Sequence, residues 1–567
     1  MINRSGLVLH VIVVISVVMI VSCTVRAVPA QLSTTEWRSA QIVSSFDLFE
    51  LSFKHNGKYD SNFFDVFLQA VFTSPSNSKW LIKGFYYGGE VWKIRFRPDE
   101  PGRWNYTYTM TSKDGFHKQG GGTFDCSPSD AEGPVRGHPK NPYRWIFSNG
   151  KPYFPVGLQD CIQAKGAQLN DRAIDGEKRE DRARQVSPEE YFAIYGQAGF
   201  NLFRFSQKNC SYPLYDNLDR YREAECLVTD ELLLLARKHG LRVMFGFFGF
   251  HGNRSGESRP VGFLRRIVQK VLGSQEEAII NHGNDKIVAK ERRFIDYCVA
   301  RWGVYVDFWE LLNERKASDE WTALMADHVR SIDPDRRPIS TSWEKPHLSA
   351  IDINAPHWYE SENEFKSDLR VQEQAAQWKK AGKPVIVGEQ GNTGMNWDPL
   401  SGLRMRIRTW TALFQEISFI FWNTIWSKAG MFEGRYTPGE AANIYLGPEE
   451  RGYIRVLQDF SSRLDATVRM TPVETTSPDR IRAYGLLSHT VAAVYLHHII
   501  DHSTPIRGLK ITLDLPEPHL TAKLVADWIN PSNGEVLLRT RVLPGRQTLD
   551  VPPFNIDLAL RVSSLRS

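Results

Sequence analysis

Between residues 143 and 460 the chain alternates short apolar runs, rich in β-branched and aromatic residues, with longer amphipathic stretches. That rhythm predicts strand–helix units with parallel strands. The predicted strands are Pro152–Leu158, Gly199–Phe205, Leu241–Phe250, the run Val304–Glu314, Arg337–Trp343, Ile351–Tyr359, Pro384–Gly391 and Ile417–Trp422. Between them the 3.6-residue period predicts helices from Ser187-Pro188, with Ser as N-cap, and over Thr229–His239, Ile287–Trp302, Trp321–Ser331, Glu364–Ala381 and Leu403 to about Glu416. Eight such units fit an α/β TIM (β/α)₈ barrel, whose active sites lie at the C-terminal ends of the strands. A doubly wound open sheet is the competing architecture, but no Gly-rich phosphate loop follows any predicted strand.

The flanks read differently. Residues 46–126 carry alternating runs such as FDVFLQAVF and WNYTYTMTS, broken by Gly, Pro and Asn, which predicts a β-sandwich over about 40–130. Asp125–Pro142 is rich in Pro, Gly and Ser and reads as a linker before a barrel spanning 143–460. Beyond Asp465 strand runs return (IRAYGLL, TVAAVYLHHII), so 466–567 is expected as a small antiparallel β domain.

A net charge of +5 on 567 residues gives no reason to expect a nucleic-acid partner. Residues 1–27 combine Arg4, an apolar run from Leu7 to Val21 and small residues before Ala27, the pattern of a secretory signal peptide. Ile20-Val21-Ser22-Cys23 also resembles the lipoprotein cleavage box, so the expected product is secreted or held at the cell envelope, in the latter case by membrane attachment through lipidated Cys23. Cys210 and Cys226 flank one loop and are candidates for a bridge, whereas Cys298 sits in a helical pattern and reads as a buried thiol.

Two strand ends carry the candidate chemistry. The run VYVDFWELLNE delivers Asn313 and Glu314 to solvent, and 75 residues on PVIVGEQG delivers Glu389. One Glu at a strand end marks only the end of a strand. Two on parallel strands of one barrel face each other across one opening, and paired carboxylates are what glycosidic cleavage requires.

On these motifs the region 143–460 resembles the clan A retaining glycoside hydrolases, in which Asn-Glu ends strand four and Glu ends strand seven. The resemblance makes Glu314 the acid/base, Glu389 the nucleophile and Asn313 a partner of the substrate 2-hydroxyl, although Arg315 stands where those families usually have Pro. It further implies that Arg204, after Gly199-Phe200-Asn201, lies under the nucleophile, with pairing to Glu310 as the alternative. In His357-Trp358-Tyr359 it gives Tyr359 a hydrogen bond to the nucleophile and His357 a supporting role. His251 matches a sugar-binding position after strand three, Asp160 follows strand one as a further supporting residue, and Trp422, or Trp426 in another register, matches an aromatic floor. The layout, with Trp528-Ile529-Asn530-Pro531-Ser532-Asn533-Gly534 near its end, is similar to apiosidase-like secreted glycosidases with a C-terminal domain labelled collagen-binding.

What this implies is double displacement on a carbohydrate substrate, with no cofactor and no metal required. The rival readings are a carbohydrate-binding or adhesion protein on an inactive barrel and a transglycosylase with the same residues. Arg254, Arg259, Arg265, Arg266 and Lys270 after strand three suit acidic glycans or, equally, a solvated face.

Overall fold

The structure is a computed structural model that describes residues 33–159, 184–207, 211–249, 285–360, 363–391, 400–422, 442–444, 448–517 and 524–564, without the side chains of 184, 185, 422 and 442–444. The expected leader, Cys23 and the basic residues after strand three lie outside these ranges. Among the described residues no helix is long and apolar enough to cross a membrane.

Eight strands make the central sheet: Val156–Gln159, Leu202–Ser206, Arg242–Phe248, Phe308–Leu312, Ile339–Ser340, His357–Tyr359, Val385–Gly391 and Ile417–Trp422. All neighbours but five and six pair in parallel, and strand one pairs with both strand two and strand eight. Strands five and six share no ladder, but the Ile339 carbonyl accepts from Asp352 N (2.8 Å) and Ile353 N (3.2 Å), while Asn354 bridges to Val385. That segment closes the ring into a (β/α)₈ barrel. Helices follow the strands as expected. Ser187 caps Pro188–Gln197, Ser318 caps Asp319–Ile332, and Gly382 (φ 69°) ends the turn before strand seven.

Strand four starts later than its apolar run predicts. Val304–Val306 form a turn, with Tyr305 N bonding Trp302 O at 2.8 Å, and pairing begins when Asp307 N reaches Val243 O at 2.8 Å. Asp307 is fully buried because Arg237 and Arg242 neutralise it at 2.7 and 3.5 Å.

The expected linker is also partly structure. Val135–His138 and Asn141–Phe147 form an antiparallel hairpin joined by Pro152–Tyr153. Val135, Trp145, Phe147 and Tyr153 pack into the base of the barrel against Leu202, Met244, Phe308, Ile353, Ile386 and Ile420. The hairpin is a stopper for the N-terminal ends of the strands.

Before it stands the sandwich, a four-stranded and a five-stranded sheet around an aromatic core of Phe49, Phe72, Trp92, Trp104 and Phe124. Arg95 reaches from this sandwich to Asp230 on the barrel helix Glu223–Lys238 at 2.6 Å, and Arg301 holds the same carboxylate. The C-terminal region forms antiparallel sheets of six and three strands. Arg406 of the barrel helix Ser401–Phe414 grips its Asp557 with two bonds of 3.0 Å. The Cys210–Cys226 bridge is not formed: Cys226 is a free, buried thiol within a helix, its Sγ toward Leu214 O, and its partner lies outside the described residues. Cys298 is buried and free, as expected from its helical pattern.

Candidate active site

Side chains on a strand alternate between faces, so residues two apart along each strand stack in layers inside a barrel. The basal layer of Leu202, Met244, Phe308, Ala355, Ile386 and Ile420 is wholly apolar. Two residues further along the same strands stand Arg204, Gly246, Glu310, His357 and Gly388. The change from oil to charge happens within one step of the pleat.

Arg204 organises this upper layer. It is fully buried, and all five of its donors are used: Nε and one Nη bond Glu310 at 3.0 and 2.8 Å, and the remaining bonds go to Gln159, Asn313 (2.8 Å) and Glu389 Oε1 (2.8 Å). Burial opposes its charge, but Glu310 and Glu389 more than restore it, so the guanidinium stays protonated. Gly246 makes room: a Cβ there would meet Glu310 Oε2 at 3.2 Å. Arg204 therefore takes both roles the sequence left open, partner of Glu310 and support of Glu389.

Glu389 reaches the cleft on a strand whose register shifts between Val387 and Gln390. Gly388 before it is needed because His357 crosses closely; an added Cβ would lie 3.0 Å from His357 Nε2. The second Glu389 oxygen accepts from the Tyr359 hydroxyl. Burial pushes the Glu389 pKa up, but His357 and Arg204 beside it, with the bonds from Tyr359 and Arg204, outweigh burial and hold it below the ordinary carboxylate range. Tyr359 moves the opposite way, raised by burial and then by Glu389, so it remains a donor.

Glu314 differs in environment. It follows strand four at φ 48°, a left-handed backbone that costs a non-Gly residue on the order of 1 kcal/mol. This bend carries its side chain, 24% exposed, past strand five to His357 Nδ1 at 2.7 Å. The same nitrogen lies 3.5 Å from Glu389 Oε2. One oxygen of each carboxylate and an imidazole nitrogen all fall within 4.8 Å of one another. Among the described residues these three are also the set of side chains that could share a metal ion.

The structure thus brings together Glu314, Glu389, Asn313, Arg204, His357 and Tyr359. Asp160, His251 and Trp426 lie outside the described residues; for Trp422 only the backbone is described, paired with Gln159. Sequence reasoning missed Gln159, a buried acceptor for Arg204 whose own amide nitrogen has no partner among the described residues. Its signal was the one polar residue closing the apolar run PVGLQ. It also passed over the end of strand five, where Thr341 and Ser342 are buried and Trp343 is bare.

Fold and site together define a (β/α)₈ barrel between two β regions, with paired glutamates at the ends of strands four and seven. Residues 42–111, within the sandwich, match a family described as a domain of unknown function, DUF5060. No curated protein matches the chain. Solved structures do: a protein of Bacteroides vulgatus provisionally assigned as a glycoside hydrolase is 17% identical with a TM-score of 0.59, covering 93% of this chain and 100% of its own. That likeness establishes a shared fold along nearly the whole length. A family 39 glycoside hydrolase of Bacteroides cellulosilyticus (13% identity, TM-score 0.41, covering 92% and 99%) and a family 30 endoxylanase of Clostridium papyrosolvens (11%, 0.42, covering 73% and 98%) are similar at lower scores.

Proposed function

We propose that this protein is a glycoside hydrolase that cleaves O-glycosidic bonds of a poly- or oligosaccharide with retention. The observation that carries the proposal is the Glu314–Glu389 pair, with oxygens within 4.8 Å, one carboxylate bound to a guanidinium and the other to an imidazole. Retaining enzymes place their carboxyl groups about 5–5.5 Å apart, whereas inverting ones leave about 6.5–9.5 Å for a water.

In this mechanism Glu314 gives its proton to the departing oxygen while Glu389, kept ionised by Arg204, attacks the anomeric carbon. Water then enters, Glu314 takes its proton, and the glycosyl–Glu389 bond breaks. Asn313, oriented by Arg204, bonds the 2-hydroxyl, a contact that tightens as the oxocarbenium forms. His357 lies between the two carboxylates, its Nδ1 2.7 Å from Glu314 Oε1 and 3.5 Å from Glu389 Oε2.

The test separates the two glutamates. With Glu389→Gly, azide fills the vacated space and gives an inverted glycosyl azide; with Glu314→Ala and a good leaving group it gives the retained one. Identical stereochemistry from both, or full activity of either on natural glycan, defeats the assignment.

Export is part of the same proposal. Processing removes at least Met1–Ser22 and leaves either a freed enzyme or one anchored through lipidated Cys23. Intact mass of protein made in its own host reads the loss and any added lipid; unprocessed chain in the cytosol contradicts it.

A further inference from the structure

We propose that the cleft between the sandwich and the base of the barrel is a second, non-catalytic site that holds a neutral sugar unit of a glycan. The proposal stands on this cleft and not on the roles given to Glu314 and Glu389.

Each body supplies one apolar wall, Trp80, Ile82 and Phe96 from the sandwich and Val304, Ile332 and Pro334 from the barrel. Val304 lies in the turn before strand four and Arg337, which also lines the cleft, just before strand five. The cleft is therefore at the N-terminal ends of the strands, away from the glutamates. It takes in about 630 Å³ counting the solvent at its mouth, so one unit of a longer chain can lie in it with both ends outside. Its walls are already fixed. Arg95, another lining residue, bonds Asp230 at 2.6 Å and the Arg301 carbonyl at 2.7 Å, and the Trp80 ring packs 5.2 Å from the fully buried Trp104. A ligand meets a formed site and has little to order on binding.

Within this frame Arg97 is under-used. Its side chain is only 7% exposed, yet among the described residues it makes one bond, from Nη2 to Asp335 Oδ2 at 3.2 Å. The buried Arg204 and Arg301 each make five. The unspent N–H groups of Arg97 are not sealed from water as Gln159 Nε2 is, and Arg97 lines the cleft. Acceptors stand beside these donors. Asp99 is exposed, lines the same cleft and has no ion-pair partner among the described residues, while Asp335 is 30% exposed.

The mixture decides the ligand class. An anion would need cations free of counter-charge, but Lys83 already has Asp296 at 2.9 Å, Arg97 has Asp335, and Asp99 adds a further negative charge. An apolar ligand would cover both walls but strip water from Arg97 and leave its donors unpaired. A neutral sugar has C–H faces for Trp80 and the opposite wall, and hydroxyls that accept from Arg97 and donate to Asp99.

The experiment uses the full chain carrying Glu389→Gln, which keeps glycans uncleaved, with Arg97→Gln, Asp99→Asn or Trp80→Ala added. Its probes are gels containing hydroxyethylcellulose, arabinoxylan, glucomannan or, as the anionic case, polygalacturonate, through which each protein is run by affinity electrophoresis. At least one neutral polysaccharide should retard the parent. Arg97→Gln and Asp99→Asn should each raise the apparent Kd about fivefold or more, and Trp80→Ala about tenfold or more. Oligosaccharides of the same glycan should slow hydrogen exchange over residues 79–99 and 299–305. If Trp80→Ala melts well below the parent, the two polar substitutions decide the matter. Protection confined to the strand ends around Glu314 and Glu389, with the cleft variants at parental affinity, overturns the second site and leaves the catalytic assignment standing. Retardation by polygalacturonate alone, or by no gel at all, overturns a neutral-sugar site.

Discussion

The two ends of this barrel are built from the same strands and obey opposite rules. At the base Leu202, Met244 and Phe308 meet a hairpin that contributes Trp145, the Phe308 and Trp145 rings 5.1 Å apart, edge to face. One pleat higher, Arg204 and Glu310 occupy the same strands at zero exposure, balanced by each other, Gln159, Asn313 and Glu389. Apolar contacts at the base tolerate gradual loss. A buried charge network does not, because removing one member strands the rest.

That asymmetry is best broken at Arg204. Arg204→Met leaves Glu310 and Glu389 buried without their cation, and should cost about 3–5 kcal/mol of stability, measured by denaturant titration, together with nearly all activity. Met244→Ala at the base should cost about 2–5 kcal/mol by cavity formation, yet leave kcat within a few-fold below the melting transition. If the basal variant loses kcat as fully as the upper one, the two ends are not separable.

A second contrast concerns partners for a buried carboxyl. Glu291 on helix Asp285–Trp302 is 1% exposed and accepts a bond from Trp321 Nε1 at 2.9 Å, but burial dominates and pushes its pKa up to about 7. Glu389, also buried, is held low by its charged neighbours. The signs follow. Glu389 contributes stability above its unfolded pKa, lost as pH falls through its folded value. Glu291 contributes stability present below its unfolded pKa near 4.5 and lost as pH rises through about 7. Glu291→Gln, which keeps the bond from Trp321, should therefore be more stable than wild type at pH 8 by on the order of 2 kcal/mol, a gap that closes toward pH 5 in melting curves taken across that range. A gap independent of pH would rule out burial of the ionised carboxylate as its cause.

The smallest expected effect is at Gln159. Gln159→Leu deprives Arg204 of one acceptor and should cost about 1–2 kcal/mol, with a rise in the lower pKa of the kcat/KM profile as Arg204 loosens from Glu389. An unchanged profile would make Gln159 a packing residue only.

The barrel was legible because its strands are buried on both faces and read as unbroken apolar runs; strand eight falls on Ile417–Trp422 as the sequence predicts. Glu314 and Glu389 were legible as carboxyls ending such runs, and Arg204 as a charge inside one. Other features were hidden by composition. The apolar residues of the basal hairpin lie within and just beyond a Pro-, Gly- and Ser-rich stretch that imitates a linker. Val304–Val306 look like strand but turn, because the preceding helix runs to Trp302 and Asp307 is the first residue to reach Val243. The role of His357 as the link between both glutamates depends on the left-handed turn at Glu314, which no spacing rule announces.

The most direct test of the two glutamate roles is which oxygen becomes glycosylated. A set of activated 2-deoxy-2-fluoro glycosides, in which the fluorine slows breakdown of a covalent intermediate, should add one glycosyl mass to the wild type, and peptide mapping should place it on Glu389. Glu389→Gln should gain no mass. A label on Glu314 or Glu310, or turnover of a natural glycan to the inverted anomer with no adduct formed, would contradict Glu389 as the nucleophile.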